Sequence, residues 1–299
     1  MEDNGLVSII IVSYNHENFI STCIKSIFYQ TYSNWELIVA DDASRDNSVK
    51  IFNEELNKYG INATKIYNNE NIGFSATLNK CLKYCKGEFI KIISADDYLH
   101  FNFLKDSIKT FSEIGYEYGV IYSNAIVVED TNLNERKKVL INNPDETHSG
   151  YIFNFLVNKN FIPALTVIIR REVILKVGEF DTQNILEDYD YWMRASLITK
   201  FYYINSELAY YRIHTQNVSN KITDWTKYYL LIFLKHAKYS KECRKKIEFF
   251  AISFYKNDNK ELLNKIYQSN VYTFKIILIK LFYEIHFPKR FGYKILWHI

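Results

Sequence analysis

Two pairs of adjacent aspartates, Asp41-Asp42 and Asp96-Asp97, each follow an apolar run, WELIVA at 35–40 and EFIKIIS at 88–94. A third polar cluster, Ser13-Tyr14-Asn15, follows the run LVSIIIV at 6–12. If these runs are neighbouring strands, the polar groups meet at one sheet edge. Carboxylates gathered there repel unless a cation or a hydrogen-bonding ligand compensates. Asp is also a good helix N-cap, so either pair alone has a purely structural reading; two pairs at a common edge favour a ligand. Mg²⁺ or Mn²⁺ uses one or two carboxylates and takes its other ligands from phosphates and water, so a nucleotide diphosphate suits such an edge. The segment SYNHEN after the first run carries neither G-x-G-x-x-G nor a Walker pattern. That argues against a dinucleotide dehydrogenase and a P-loop ATPase.

The elements that must position these groups are read from periodicity. The continuous apolar run at 6–12 predicts a strand buried on both faces. Ile20, Cys23, Ile24, Ile27 and Phe28 then recur at helical spacing. Trp35–Ala40 predicts a second strand, and Val49, Phe52 and Leu56 mark a helix opening near Ser44 and stopping at Gly60. Thr64–Tyr67 is a short third strand, Leu78, Cys81, Leu82 and Cys85 mark another helix, and 88–94 is a fourth strand. This β-α-β-α-β-α-β order predicts an α/β fold, a mostly parallel sheet flanked by helices. Further on, a helix is predicted around Leu104–Phe111 and a strand at Gly119–Val128. A polar loop follows at 130–148, then a strand at Thr166–Ile169, a helix at Tyr189–Ile198 and a strand pair within Phe201–Ile213.

Composition bounds the rest. The chain has 299 residues, 48% hydrophobic and 24% charged, with 9 Gly and 3 Pro, so collagen-like and proline-rich disordered classes are excluded. Cys81 and Cys85 fall on one helix face, but two further ligands for a zinc site are missing nearby, so all four cysteines are expected to be buried thiols in a reducing cytosol. The opening MEDNGLVSIII has acidic residues before its apolar run and no cleavage pattern, so no signal peptide is expected. The net charge of +3 hides an asymmetry: residues 221–299 hold 16 Lys+Arg against 6 Asp+Glu, and the first 220 hold 21 against 28. Two regions are expected, 1–220 and a basic, aromatic helical region at 221–299.

The segment VSIIIVSYNHENFISTCIKSIFYQTYSNWELIVADDASRDNS resembles the opening of family-2 glycosyltransferases, which have the GT-A fold. Similar patterns continue through Asn71-Ile72-Gly73, KGEFIKIISADD, GEFD at 178–181, EDYDYWMR at 187–194 and YRIHTQNVS at 211–219. The resemblance covers roughly residues 6–220. It implies an inverting hexosyltransferase using a nucleotide-sugar donor, UDP-linked, and a divalent metal, acting on a glycan or lipid-linked glycan acceptor in surface polysaccharide synthesis. By position, Tyr14 would stack near the donor base and Asp42 would hydrogen-bond it, with Ser13, Asn15 and Gly73 in the same binding set. Asp96 would lie near the ribose, Asp97 would ligate the metal, His214 would lie near the diphosphate or metal, and Asp188 would be the general base. Taken alone, Glu187-Asp188 also reads as an acidic first turn of a helix, favoured by the dipole. Arg194 is expected to pair with Asp190 at i, i+4.

Three departures stand out. Ser94 replaces the usual Asp two places before the aspartate pair. Ala43 stands where Gly is common, which is tolerable if its φ is negative. Leu78 stands where Arg often contacts the diphosphate. The Q-x-x-R-W motif of processive synthases is absent, which favours one sugar per encounter. The rival readings are a nucleotidyltransferase, which lacks its Gly-rich basic loop here, and an inactive sugar-nucleotide-binding protein.

At 271–299 no uncharged stretch approaches the ~20 residues that span a bilayer. Phe274, Ile277, Leu278, Leu281 and Ile285 line one helical face. Two readings compete: packing on the catalytic domain, or peripheral contact with an anionic membrane from the cytoplasmic side. Nucleic acid is not an expected partner, because the basic residues accompany an apolar stripe rather than a reader motif.

Overall fold

The structure is a computed structural model that describes residues 5–129, 138–140, 146–217, 220 and 222–299. It divides into two compact units: Met1–Gln183 with Glu187–Asn217, and Asn184–Leu186 with Val218–Ile299. In the first unit the chain runs β1 (Val7–Ser13), α1 (Ile20–Phe28), β2 (Trp35–Asp41), α2 (Ser48–Lys58), β3 (Ala63–Tyr67), α3 (Phe74–Leu82), β4 (Phe89–Ser94), β5 (Tyr98–Leu99), α4 (Phe103–Glu113), β6 (Tyr118–Glu129) and β7 (Lys138–Val139). It continues through α5 (Phe153–Asn158), β8 (Ile168–Arg170), α6 (Arg171–Val177), α7 (Glu187–Ala195) and β9 (Lys200–Ile213).

Among the described residues the sheet order is β3-β2-β1-β4-β8-β6-β9-β5, with β7 beside β6. β3, β2, β1 and β4 are parallel, and their register sets Ser13 opposite Asp41, Asp41 opposite Tyr67 and Val12 opposite Ser94. The three polar clusters are therefore level at one edge, as the strand reading requires. Every residue of β1 is buried, which is why its sequence is apolar without alternation. Ile20, Cys23, Ile24 and Ile27 of α1 pack with Val7, Ile9 and Ile11 of β1 and with Phe52 and Leu56 of α2 in one core.

The second half departs from the sequence reading. β9 is one fourteen-residue strand rather than a strand pair, parallel to β6, with its register shifting opposite Ser123–Ala125. The expected break corresponds to that irregularity, where Asn205, Ser206 and Glu207 interrupt the apolar pattern. The strand predicted from Thr166 begins at Ile168, because Ala164–Thr166 forms a 3₁₀ turn. β5 and α6 were not predicted; two residues and seven are too short for a periodic signal. The loop expected at 130–148 lies mostly outside the described residues. All four cysteines are buried and free.

The second unit is helical: α8 (Thr226–His236), α9 (Lys241–Lys256), α10 (Lys260–Gln268), α11 (Phe274–Glu284) and α12 (Lys289–His298). Ser240, Asn259 and Thr273 cap α9, α10 and α11 by accepting backbone N–H bonds. Gly292 lets α12 approach α9, since a Cβ there would meet the Tyr255 hydroxyl at 2.6 Å.

Ala43 has φ +61°, so the condition under which Ala would be harmless is not met. A left-handed residue with a Cβ costs about 1–2 kcal/mol, and the greater freedom of Gly in the unfolded chain offsets about 0.4–1 of that. Ala43→Gly is expected to stabilise the protein by about 0.5–1 kcal/mol, read as a melting temperature about 2–4 °C higher per kcal/mol.

Candidate active site

The β1–α1 and β2–α2 loops are bound to each other. Asn15 sits at φ +57°, its N–H donates to Ser44 Oγ at 2.8 Å, and its Oδ1 accepts from Arg45 N–H at 2.8 Å. The N–H groups of His16 and Glu17 donate to Ser48 Oγ and Asp46 Oδ2. Tyr14, between these anchors, remains 41% exposed. Ser13 is buried, with no partner for its hydroxyl.

The first aspartate pair divides its work. Asp41 caps its own turn, accepting from Ser44 N–H at 2.8 Å and Ser44 Oγ at 2.6 Å. Asp42 accepts from Asn68 Nδ2, Ile72 N–H and Thr77 Oγ at Oδ1, and from Gly73 N–H at Oδ2, all within 2.8–3.0 Å. Gly73 has φ +89° and ψ 156°, a region essentially confined to glycine, so the loop can turn its N–H onto Asp42. The position where a diphosphate-binding Arg is common is filled by Leu78, fully buried in the core.

The second pair is split by a turn in which Asp97 N–H donates to Ser94 O at 3.1 Å. Asp96 faces two imidazoles: His214 Nε2 is 3.0 Å and His16 Nε2 3.9 Å from its Oδ2. Burial opposes its ionisation, but the His214 hydrogen bond, the His16 charge and the Ser94 hydroxyl outweigh this and hold its carboxyl below the usual range. Burial also keeps His16 below the ordinary histidine value. Asp97 turns toward β9, where its Oδ1 accepts from Arg212 N–H at 2.9 Å. Burial and the Asp96 charge push its carboxyl up, against the cations of Arg212 and Lys91.

Lys91 is wholly buried on β4. Its Nζ donates to the carbonyls of Leu165 and Val167 and lies 4.3 Å from the Phe103 ring centroid. Burial lowers it to about 7. Arg212 is also buried, its guanidinium over Phe19 and Tyr98. His16, Lys91 and Arg212 were not among the sequence-predicted site residues. His16 follows Tyr14-Asn15 and Arg212 precedes His214 by two, so adjacency to the motifs was the available signal.

Asp188 lies in the first turn of α7, accepting from Tyr189 N–H at 2.6 Å, with Asn160 beside it. Burial raises both Glu187 and Asp188, and the Asp188 charge raises Glu187 further. Side-chain hydrogen bonds tie α7 to α3 through the segment 177–180. Arg194 pairs with buried Asp190 at 2.9 Å, as expected, and donates to the carbonyls of Val177 and Glu179. Asn79 of α3 donates to Phe180 O and accepts from Phe180 N–H, both at 2.9 Å, and Phe180 stacks on Tyr191 at 3.9 Å.

Among the described residues no three His, Cys, Asp or Glu side chains form a ready metal cluster. A Mg²⁺ or Mn²⁺ site completed by phosphate oxygens needs fewer. Asp96 with His214 fits that requirement, since Asp96 Oδ1 is buried without a protein hydrogen bond of good geometry.

The Glycosyl transferase family 2 model matches residues 8–178, more than half of the chain. The chain belongs to glycosyltransferase family 2. Within the family, the chain is 28% identical over 219 residues to an uncharacterized glycosyltransferase of Rickettsia typhi, covering 72% of this chain and 66% of that one. It is 39% identical over 132 residues to the Escherichia coli UDP-Glc:alpha-D-GlcNAc-diphosphoundecaprenol beta-1,3-glucosyltransferase WfgD, covering 42% and 50%. The chain thus spans just under two thirds and one half of these relatives' lengths. The GT-A fold is shared with Staphylococcus aureus TarS in complex with UDP-GlcNAc, at TM-score 0.65, 18% identity and coverage of 83% and 72%. It is shared too with the Pyrobaculum calidifontis mannosyltransferase PcManGT in complex with GDP-Man and Mn²⁺, at TM-score 0.61, 15% identity and coverage of 98% and 84%.

Because Asn79 fixes both backbone polar groups of Phe180, Asn79→Ala leaves two buried groups unpaired. It is expected to cost about 1–3 kcal/mol in chemical denaturation. Asn79→Asp, which can still accept from Phe180 N–H, should cost less.

Proposed function

We propose that this chain transfers one hexosyl unit from a UDP-sugar, by an inverting single displacement, to a hydroxyl of a lipid-linked glycan destined for a surface polysaccharide. The observation that carries the reading is the level register of β1, β2 and β4, which gathers Tyr14, Asp42 and Asp96 at one sheet edge with His214 against Asp96. In this reading Tyr14 stacks on the base and Asp42, with Ser13, Asn15 and Gly73, shapes the nucleotide site. WfgD is named for a UDP-linked donor and a diphosphoundecaprenol acceptor, and the TarS structure holds UDP-GlcNAc; both favour UDP and a lipid-linked acceptor. We place the reaction on the cytoplasmic side of the cell membrane, where such an acceptor is reached.

Asp188 takes the acceptor hydroxyl's proton as that oxygen attacks the anomeric carbon and the bond to the diphosphate breaks. Of the two neighbouring aspartates, the geometry favours Asp96 over Asp97 for the metal: Asp96 stands with His214, whereas Asp97 turns to β9 and accepts from Arg212 N–H. A divalent cation at Asp96 and His214 would supply positive charge to the leaving diphosphate. Asp97 then anchors β9, the strand that leads into His214.

Two paired substitutions test these assignments. Asp96→Asn is expected to keep the fold and lose Mn²⁺-dependent UDP binding, measured by calorimetry. Asp97→Asn weakens the hydrogen bond from Arg212 N–H and removes the charge that attracts the cations of Lys91 and Arg212, and is expected to cost about 1–3 kcal/mol of stability. The opposite pattern would return the metal to Asp97.

Asp188→Asn is expected to lower kcat about 10²–10⁴-fold with UDP binding retained. Because burial raises Asp188 and the base must be ionised, kcat of the parent enzyme falls as pH drops, with its acid limb above the ~3.9 of a free aspartate. Glu187→Gln should keep that limb, since desolvation is the leading cause of the Asp188 shift. If Glu187→Gln abolishes turnover and Asp188→Asn does not, the base is Glu187.

A further inference from the structure

α11 is apolar on two faces. Ile276, Ile279 and Phe282 are buried, and Phe282 stacks on Phe287 at 4.6 Å. On the other side Phe274, Ile277, Leu281 and Ile285, at i, i+3, i+7 and i+11, are 68%, 56%, 47% and 59% exposed. A helix that needs only one apolar face to join its neighbours carries polar residues on the other. This one leaves a continuous ridge of large side chains in water, the arrangement that marks an interaction surface.

We infer that the Phe274–Ile277–Leu281–Ile285 ridge seats the protein on an anionic lipid bilayer. Charge selects this occupant. The segment 221–299 carries 16 Lys+Arg against 6 Asp+Glu, and Lys275, Lys280, Arg290 and Lys294 form no ion pair among the described residues. Lys280 and Glu284 are the exposed charges of α11, and exposed Arg290 and Lys294 follow on α12, which also exposes Phe291 and Ile295 one turn apart. A ridge docking on a second copy would bring these unpaired cations together. An anionic headgroup layer neutralises them while the apolar side chains enter the acyl boundary. α11 has eleven residues, about 17 Å of helix, and among the described residues no helix is long and apolar enough to cross a membrane. The ridge therefore lies on the bilayer. This surface belongs to the second unit and does not depend on how the donor site of the first unit is assigned.

The test is flotation of the full chain with vesicles of phosphatidylcholine alone or mixed with phosphatidylglycerol, at low and high salt. Binding is expected only with the anionic lipid and is weakened by salt. Ile277→Ser with Leu281→Ser should weaken it at least about tenfold. Lys280→Gln and Lys294→Gln should each weaken it about fivefold. The melting temperature and the UDP-induced thermal shift should stay unchanged. If the serine pair disturbs folding, Ile277→Ala with Leu281→Ala gives the same comparison. Failure to bind anionic vesicles, equal binding to both lipids, or full binding by the ridge variants overturns the inference. So does a dimer, in sedimentation equilibrium, that the ridge variants dissolve.

Discussion

Acidic side chains crowded at the end of an apolar parallel sheet are the problem the rest of the first unit solves. The register of β1, β2 and β4 makes the crowding unavoidable, because it sets Ser13 opposite Asp41 and Val12 opposite Ser94, so the three strands end together. Each carboxylate is then met by its own fixed donors. Asp41 takes Ser44, Asp42 takes four donors from 68–77, Asp96 takes imidazole, and Asp97 takes the backbone of β9. Several of the donors, Ser44, Asn68, Ile72, Gly73 and His214, lie in loops, so compensating the charge also fixes those loops. Such fixed dipoles are what a site needs if it is to stabilise charge without reorganising.

The parallel half of the fold was legible because its signals are redundant. Buried strands such as LVSIIIV are apolar almost throughout, and each is followed by a helix whose apolar face repeats at 3.6 residues. The second half lacks that redundancy. β9 carries polar residues at 205–207 where its register with β6 shifts, and a local reading takes this for a turn. β5 exists only because Tyr98 and Leu99 find Tyr210 and Ala209, a pairing more than a hundred residues away.

The site was legible as a set of motifs, less so as contacts. The sequence marks Asp42 as important, yet four protein donors on one carboxylate can be seen only once Asn68, Gly73 and Thr77 are brought to it. The harmlessness of Ala43 hung on the sign of one dihedral, which the chain's neighbours decide. Asp96 and Asp97 are adjacent, so motif matching cannot say which faces the edge; the turn from Ser94 sends them different ways.

That divergence gives the buried cations a meaning. Lys91 in the middle of a buried strand would be unfavourable on its own, and its two carbonyl partners do not remove its charge. Asp97 and Lys91 each favour the other's charged form, and Arg212 adds a second cation on the strand that leads into His214. Burial works against the charged forms of Asp97 and Lys91, and the attraction between Asp97 and the cations of Lys91 and Arg212 works for them, in a place withdrawn from water. β9 is thereby fastened to the β4–β5 turn at Arg212, two residues from His214. The position of the histidine against Asp96 follows from the hydrogen bond of Arg212 N–H to Asp97 and from Asn217, whose Oδ1 accepts from His214 N–H and whose Nδ2 donates to Arg212 O.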